Sequence, residues 1–308
     1  MLNVRNLRKD FATVRAVDNV TFTVNRGEIF GLLGPNGAGK TTTIRLILNI
    51  IEPDAGEISY DGSPFTREIR DRVGYLPEER GLYRKSRVLS TILYFAELRG
   101  LPRSQAKAES YRWLKRMSLL DSANRRVEEM SKGNQQKIQF IASVIHNPEL
   151  VILDEPFTGL DPVNQVLFKD ILLELKENGK AVIFSTHQMD QAEKLSDTLC
   201  LINRGAVVLG GSVRDVKKQY GKNSVRIEFQ GNGGFLDTVP GVRRAMVFGN
   251  AAELELEPTA SLQTVAQVLS SRLELRRFEV VEPSLHAIFL QVVGAPAVPG
   301  PMTPEGAS

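Results

Sequence analysis

The chain has 308 residues, 42% of them apolar and 24% charged, enough for one large domain and a small one of ordinary soluble composition. A net charge of +3 without a dense Lys/Arg block gives no reason to expect nucleic acid as a partner, and no apolar run approaches the roughly 20 residues that span a bilayer. The start, Met1-Leu2-Asn3-Val4-Arg5, lacks the basic-then-apolar pattern of a secretion signal, and the single cysteine, Cys200, reads as a small buried hydrophobe in a reducing cytoplasm.

Mixed strand and helix are predicted over residues 1–215. Leu2 to Leu7 and Val17 to Val24 read as strands, and Glu28 to Leu33 is a compact apolar strand. That strand runs into Gly34-Pro35-Asn36-Gly37-Ala38-Gly39-Lys40-Thr41, after which Thr41 to Ile51 has helical spacing. Helical patterns dominate from about Ser86 to Ile145, where Ile92, Leu93, Phe95, Ala96 and Leu98 form an apolar stripe expected in the core. Within that stretch, Met130-Ser131-Lys132-Gly133-Asn134-Gln135-Gln136-Lys137 is a small-residue turn entering a helix. Strands return at Leu150 to Leu153 and Ala181 to Ser185. The order is that of an α/β nucleotide-binding core with a helical insertion.

After Gly210-Gly211 a helix leads out, and Gly221-Lys222-Asn223 marks a boundary. A strand at Ser224 to Phe229 is followed by a short helix, strands at Arg243 to Phe248 and Ala252 to Leu256, a helix at Ser261 to Ser271, a strand at Glu274 to Val281 and a final helix at Ser284 to Val293. Over 222–293 that order predicts a small α+β, ferredoxin-like domain. It carries no metal-ligand cluster, nucleophile pair or glycine-rich loop, and is expected to stabilise the chain or support a dimer; the alternatives are a regulatory module that alters closure of a dimer, or a site for a small ligand or ion. Arg243-Arg244, Arg272 and Arg276-Arg277 read as solvated faces. The Pro-, Gly- and Ala-rich stretch 294–308 predicts a disordered tail.

The chemistry concentrates at two places. The glycine-rich loop fits G-x-x-x-x-G-K-[ST] between strand and helix, so Gly34, Pro35, Asn36, Gly37, Ala38 and Gly39 would aim backbone N–H groups at phosphate oxygens. Lys40 would bridge the β- and γ-phosphates of a nucleoside triphosphate, Thr41 would hold Mg²⁺, and Thr42 would add a phosphate contact. At the end of Leu150-Val151-Ile152-Leu153-Asp154-Glu155, Asp154 would reach Mg²⁺ through water and Glu155 would polarise the attacking water. On a strand, neighbouring carboxylates would point oppositely; at the strand end the chain turns, and Pro156 fixes that turn.

With these motifs in this order, residues 1–215 resemble the ATP-binding subunits of ABC transporters. Gly34 to Thr41 resembles Walker A, and Leu150 to Glu155 resembles Walker B. Met130 to Lys137 resembles the signature motif, and Gly159-Leu160-Asp161 the D-loop. Ser185-Thr186-His187 resembles the switch histidine, and Val73-Gly74-Tyr75-Leu76-Pro77-Glu78 the Q-loop region. The resemblance implies a P-loop ABC ATPase core with a helical subdomain at about 86–145. It implies a second ATPase subunit, a homodimer favoured over a heterodimer, packed head to tail with ATP between the two. Ser131, Gly133 and Asp161 would serve the nucleotide held by the other chain's phosphate loop. His187 would contact the γ-phosphate, and Phe11 resembles the aromatic that stacks on adenine. His146 and His286 have no such setting and read as structural.

Two departures from the family pattern stand out. Met130, Lys132 and Asn134 replace three signature residues while the phosphate-facing Ser131 and Gly133 are kept. Glu78, followed by Glu79, replaces the Q-loop glutamine; it can ligate Mg²⁺ and orient water but adds negative charge beside the γ-phosphate. With Leu76-Pro77-Glu78-Glu79-Arg80-Gly81-Leu82-Tyr83 and the appended domain, these features resemble ATPases of type-2 export systems, including the sodium-efflux kind. The resemblance implies an ATPase at the cytoplasmic face of the membrane, serving an integral membrane permease. The alternative is a soluble ABC ATPase acting on ribosomes or nucleic acid, whose relatives carry paired halves or long insertions that this chain lacks.

Overall fold

An antiparallel hairpin, β1 (Leu2–Phe11) with β2 (Val14–Val24), opens the chain; alternation puts Leu2 and Val4 of β1 into the core, and an irregularity at Asn6 (φ +48°) brings Leu7 back to the same side. The structure is a computed structural model that describes every residue except Phe65, Arg80, 221–223, Pro258 and 295–308, together with the side chain of Arg67. The boundary read at Gly221-Lys222-Asn223 and the tail beyond Gly294 therefore lie outside the described residues, as does Arg80. The chain divides into two compact units, Met1–Ser212 and the part from Val213 onward.

In the first unit, β3 (Ile29–Leu33) is buried throughout and leads through the glycine-rich loop to α1 (Lys40–Ile47). β4 (Ala55–Tyr60) and β5 (Ser63–Pro64) extend the hairpin sheet. α2 (Arg67–Asp71) and β6 (Val73–Leu76) follow, then α3 (Val88–Leu98), α4 (Arg103–Arg116) and α5 (Lys132–Val144). β7 (Leu150–Asp154), α6 (Pro162–Glu177), β8 (Ala181–Thr186), α7 (Met189–Leu195), β9 (Thr198–Asn203) and β10 (Ala206–Ser212) complete it. Among the described residues, ten strands make one sheet in the order β5-β4-β1-β2-β10-β9-β3-β8-β7-β6. Its run from β9 to β6 is parallel, which is why β3, β7 and β8 read as unbroken apolar segments: helices cover both faces.

The stripe on α3 is only partly core. Ile92 and Ala96, one turn apart, are fully buried, whereas Leu98 is 63% exposed. Two residues advance a helix by about 200°, so Leu98 cannot share the buried line with Ala96. α4, α5 and α6 are joined by the rings of Trp113, Phe140 and Phe168, with centroids 6.1 and 4.8 Å apart. Cys200 is buried as expected, and burial pushes its thiol up to about 12.

The second unit begins earlier than the composition suggests, with α8 (Val213–Tyr220), which packs against the last helix. β11 (Ser224–Gln230), a 3₁₀ turn at Leu236–Thr238, β12 (Val242–Phe248), β13 (Ala251–Leu256), α9 (Leu262–Arg272), β14 (Glu274–Val281) and α10 (Leu285–Val293) follow. The antiparallel order β12-β13-β11-β14 is that of a ferredoxin-like sheet whose first helix is reduced to the 3₁₀ turn. Glu253, 3% exposed, accepts from the Ser284 N–H at 2.8 Å and hydroxyl at 2.9 Å and so anchors the start of α10.

One ionic cluster joins separate parts of the first unit. Glu149, just ahead of β7, accepts from Arg72 at 2.8 and 2.7 Å and from Arg26 at 2.7 Å. The Arg72 and Arg26 guanidiniums hold the Glu149 carboxyl at about 2. Its folded value lies below the unfolded one, so its stabilisation is present above about pH 4.5 and is lost as pH falls toward 2. Glu149→Gln is expected to lower stability at pH 7 by about 1 kcal/mol, a screened value for a half-exposed cluster. In unfolding measurements across pH, the gap between variant and parent should close as pH approaches 2.

Candidate active site

The parallel register brings three loops to one edge of the sheet. Leu33, the last residue of β3, lies opposite Thr186 on β8, and Asp154, the last of β7, lies opposite Ser185. The glycine-rich loop, the acidic pair and His187 all leave these carboxyl ends, where ligands bind in open parallel sheets.

The loop depends on glycine at two points. Gly34 has φ +152°, and a Cβ there would stand 2.2 Å from the Ile202 carbonyl oxygen. Gly39 has φ +108°, and a Cβ would stand 2.4 Å from that of Ala16. Only glycine lets the backbone approach its neighbours so closely. Lys40 is 6% exposed and donates Nζ to the carbonyls of Gly34 at 2.8 Å and Pro35 at 3.2 Å. A cleft of about 610 Å³ runs from Val14 and Ala16, along Asn36 to Thr42, to Glu78 and Glu155. Arg204 also lines it, a residue with no local sequence signal.

The acidic pair is not an alternating strand pair. β7 ends at Asp154, and Glu155 has φ +50°, so the chain turns at Glu155 itself, one residue ahead of Pro156. A left-handed non-glycine residue costs about 1–2 kcal/mol and is kept where the surroundings enforce it. Here the Glu155 N–H donates to the Ser185 hydroxyl oxygen at 3.0 Å, while that hydroxyl donates to Asp154 Oδ1. Both carboxylates are buried, Asp154 fully and Glu155 at 7% exposure. Glu155 Oε1 lies 3.0 Å from His187 Nδ1 and 3.6 Å from Lys40 Nζ.

Asp154 Oδ2 is buried with no protein partner. Thr41, Glu78 and Asp154 line a second cavity, of about 450 Å³, with Tyr75 and Arg45 beside them. Burial, then the charge of Asp154, pushes the Tyr75 hydroxyl up to about 12. A hydroxyl, a carboxylate and an unsatisfied carboxylate oxygen suit a hard divalent cation such as Mg²⁺.

The remaining predicted residues stand apart from this cleft. Phe11 is 46% exposed with Lys9 Nζ 5.7 Å from its ring centre; its hairpin partner Val14 lines the cleft and Phe11 does not. Ser131 caps α5, its hydroxyl accepting from the Asn134 N–H at 3.2 Å, and Lys132 is exposed. A Cβ on Gly133 would be 3.3 Å from the Gly159 carbonyl oxygen, so this helix start packs on the turn before Asp161. Asp161 caps α6 through the Asn164 N–H at 2.9 Å, and hydrogen bonds from Asn164 lower its pKa. Among the described residues lining the cleft beside Lys40, Ser131, Gly133 and Asp161 are absent. Burial lowers the His146 pKa to about 4, and His286 packs beside the Phe248 ring at 5.9 Å.

Residues 17–158 match the family described as ABC transporter, and residues 211–293 match the C-terminal domain of ATP-binding proteins like DrrA1-3. The Bacillus subtilis protein named uncharacterized ABC transporter ATP-binding protein YhaQ is 42% identical over 96% of this chain and 99% of its own length. The chain belongs to the ATP-binding subunits of ABC transporters. The fluoroquinolones export ATP-binding protein of Mycobacterium tuberculosis is 33% identical to this ABC subunit, over 96% of this chain and 93% of that one. A solved structure described as the ATP-binding subunit of an ABC transporter superposes with a TM-score of 0.66 at 31% identity, covering 71% of this chain and 93% of that one. As a member of this family the chain is an ATPase coupled to transport.

Ser185 joins the two acidic residues through its hydroxyl, a role that no local sequence pattern marks. Ser185→Ala would strip Asp154 Oδ1 and the Glu155 N–H of a shared buried partner. The expected loss is about 1–3 kcal/mol in unfolding free energy, read by denaturant titration.

Proposed function

We propose that this chain drives an exporter by closing head to tail on a second ATPase subunit, with ATP between them. The observation that carries the reading is the split of the site. Glu155 lies against both Lys40 and His187 at the phosphate loop, while the helix start at Ser131 lies outside that cleft. A helix N-terminus capped by serine suits a phosphate, and another chain's phosphate loop would supply one. The chain holds both halves itself, so a second copy of it suffices; a homodimer is favoured over a heterodimer.

In this reading the phosphate-loop amides and Lys40 hold the β- and γ-phosphates, and Thr42 adds a contact. Bound Mg²⁺ would supply charge neutralisation at the phosphates, with Thr41, Asp154 and Glu78 as the residues that hold it. Glu155 orients and polarises the attacking water, its carboxylate directed by His187, which reaches the γ-phosphate on closure. Phe11, at the open hairpin end, stacks on adenine, and Asp161 of one chain meets the other's nucleotide. The fluoroquinolones-export relative supports export as the direction. In this reading, as membership of the family supports, the work is passed to an integral membrane permease at the cytoplasmic face; among the described residues no helix is long and apolar enough to cross a membrane.

Glu155→Gln keeps the volume and removes the charge. It is expected to bind ATP, to elute as a stable dimer with ATP and Mg²⁺ on size-exclusion chromatography, and to lose hydrolysis about 10²-fold or more. Parental hydrolysis by this variant would overturn the reading. A permease co-purifying without a separate substrate-binding protein would support export.

A further inference from the structure

Helix α5 begins at the Ser131 cap and carries, farther along, a buried amide with an unusual job. Gln139 is 5% exposed, and its Nε2 donates to the carbonyl oxygens of Pro77 at 3.3 Å and Glu79 at 3.0 Å. Those carbonyls flank Glu78, the residue that lines both the phosphate-loop cleft and the cavity shared by Thr41 and Asp154. One turn earlier on the same helix, Gln136 donates to the Pro156 carbonyl at 3.4 Å, just past Glu155. The loops bearing Glu78 and Glu155 are thus both held from α5.

Gln139 occupies its place at a cost. Its Oε1 is buried without a partner, and a side chain of like size without polar atoms would avoid that penalty. What the amide achieves is a two-point hold. One hydrogen bond would let the segment swing, whereas bonds to carbonyls two residues apart fix its orientation. Pro77 helps by setting its own φ. We infer that Gln139 is a positioning residue that fixes Glu78 relative to the metal side of the site and ties it to the signature helix. The inference rests on the reading of Glu78 as a site carboxylate. Because α5 starts where another chain's phosphate would be met, a shift of that helix would be felt at Glu78.

The test is Gln139→Met, which keeps the volume and removes both donors and the unpaired oxygen. The thermal unfolding midpoint is expected to fall modestly, because the carbonyls of Pro77 and Glu79 lose their donor while the unpaired oxygen is also removed. Equilibrium binding of Mn²⁺ with a non-hydrolysable ATP analogue, followed by electron paramagnetic resonance, should weaken about tenfold. The apparent Mg²⁺ requirement for hydrolysis at saturating ATP should rise by a similar factor of about ten. In a Glu78→Ala background the substitution should add nothing further. A lowered midpoint with parental Mn²⁺ binding would mean a packing role only and overturn the inference, as would an undiminished effect in the Glu78→Ala background. If Glu78→Ala weakens Mn²⁺ binding and Gln139→Met does not, the inference alone fails. If Glu78→Ala leaves binding unchanged, the assignment of Glu78 fails and the inference with it.

Discussion

The pairing of β8 between β3 and β7 is the constraint on which the rest of the first unit depends. Residues opposite each other on neighbouring strands sit about 5 Å apart. Setting Leu33 against Thr186 and Asp154 against Ser185 therefore places three loops, remote in sequence, within reach of a single phosphate group. The ladder also supplies Ser185, whose hydroxyl serves both acidic residues at once. Strand pairing here builds the site directly.

Electrostatics and strain follow from that placement. Glu155 is turned by a left-handed backbone into the space between Lys40 and His187, and the bond from its N–H to Ser185 holds it there. Lys40 and Glu155 share an environment that is almost dry, where each interaction is worth more than in water. Asp154 is fixed through one oxygen and left open at the other, an arrangement suited to a cation and poorly suited to a merely structural carboxylate.

The helical part of the unit serves the same site from the other side. Its aromatic contacts make α4, α5 and α6 one packed body, and glutamines on α5 reach the loops that follow β6 and β7. A rigid helix that starts at the Ser131 cap and also holds two acidic loops can transmit a displacement, because close-packed side chains shift together. The second unit keeps its own core and its own buried carboxylate, Glu253.

Short contiguous stretches of the chain encode the phosphate loop and the elements of the second unit. The phosphate loop is legible because its glycines carry a backbone that other residues resist, and its Lys and Thr follow at fixed offsets. The second unit is legible because strand alternation and helix spacing mark each element in turn, down to the serine cap of α10. Tertiary structure alone decided that β8 separates the phosphate loop from the acidic strand and that Glu155 makes its own turn. It also decided that α8 belongs with the second unit, and that Gln139 holds the chain around Glu78. Each of these depends on partners far away along the chain. Local patterns state a residue's preferences, and which distant group satisfies them is settled only when the sheet closes its order.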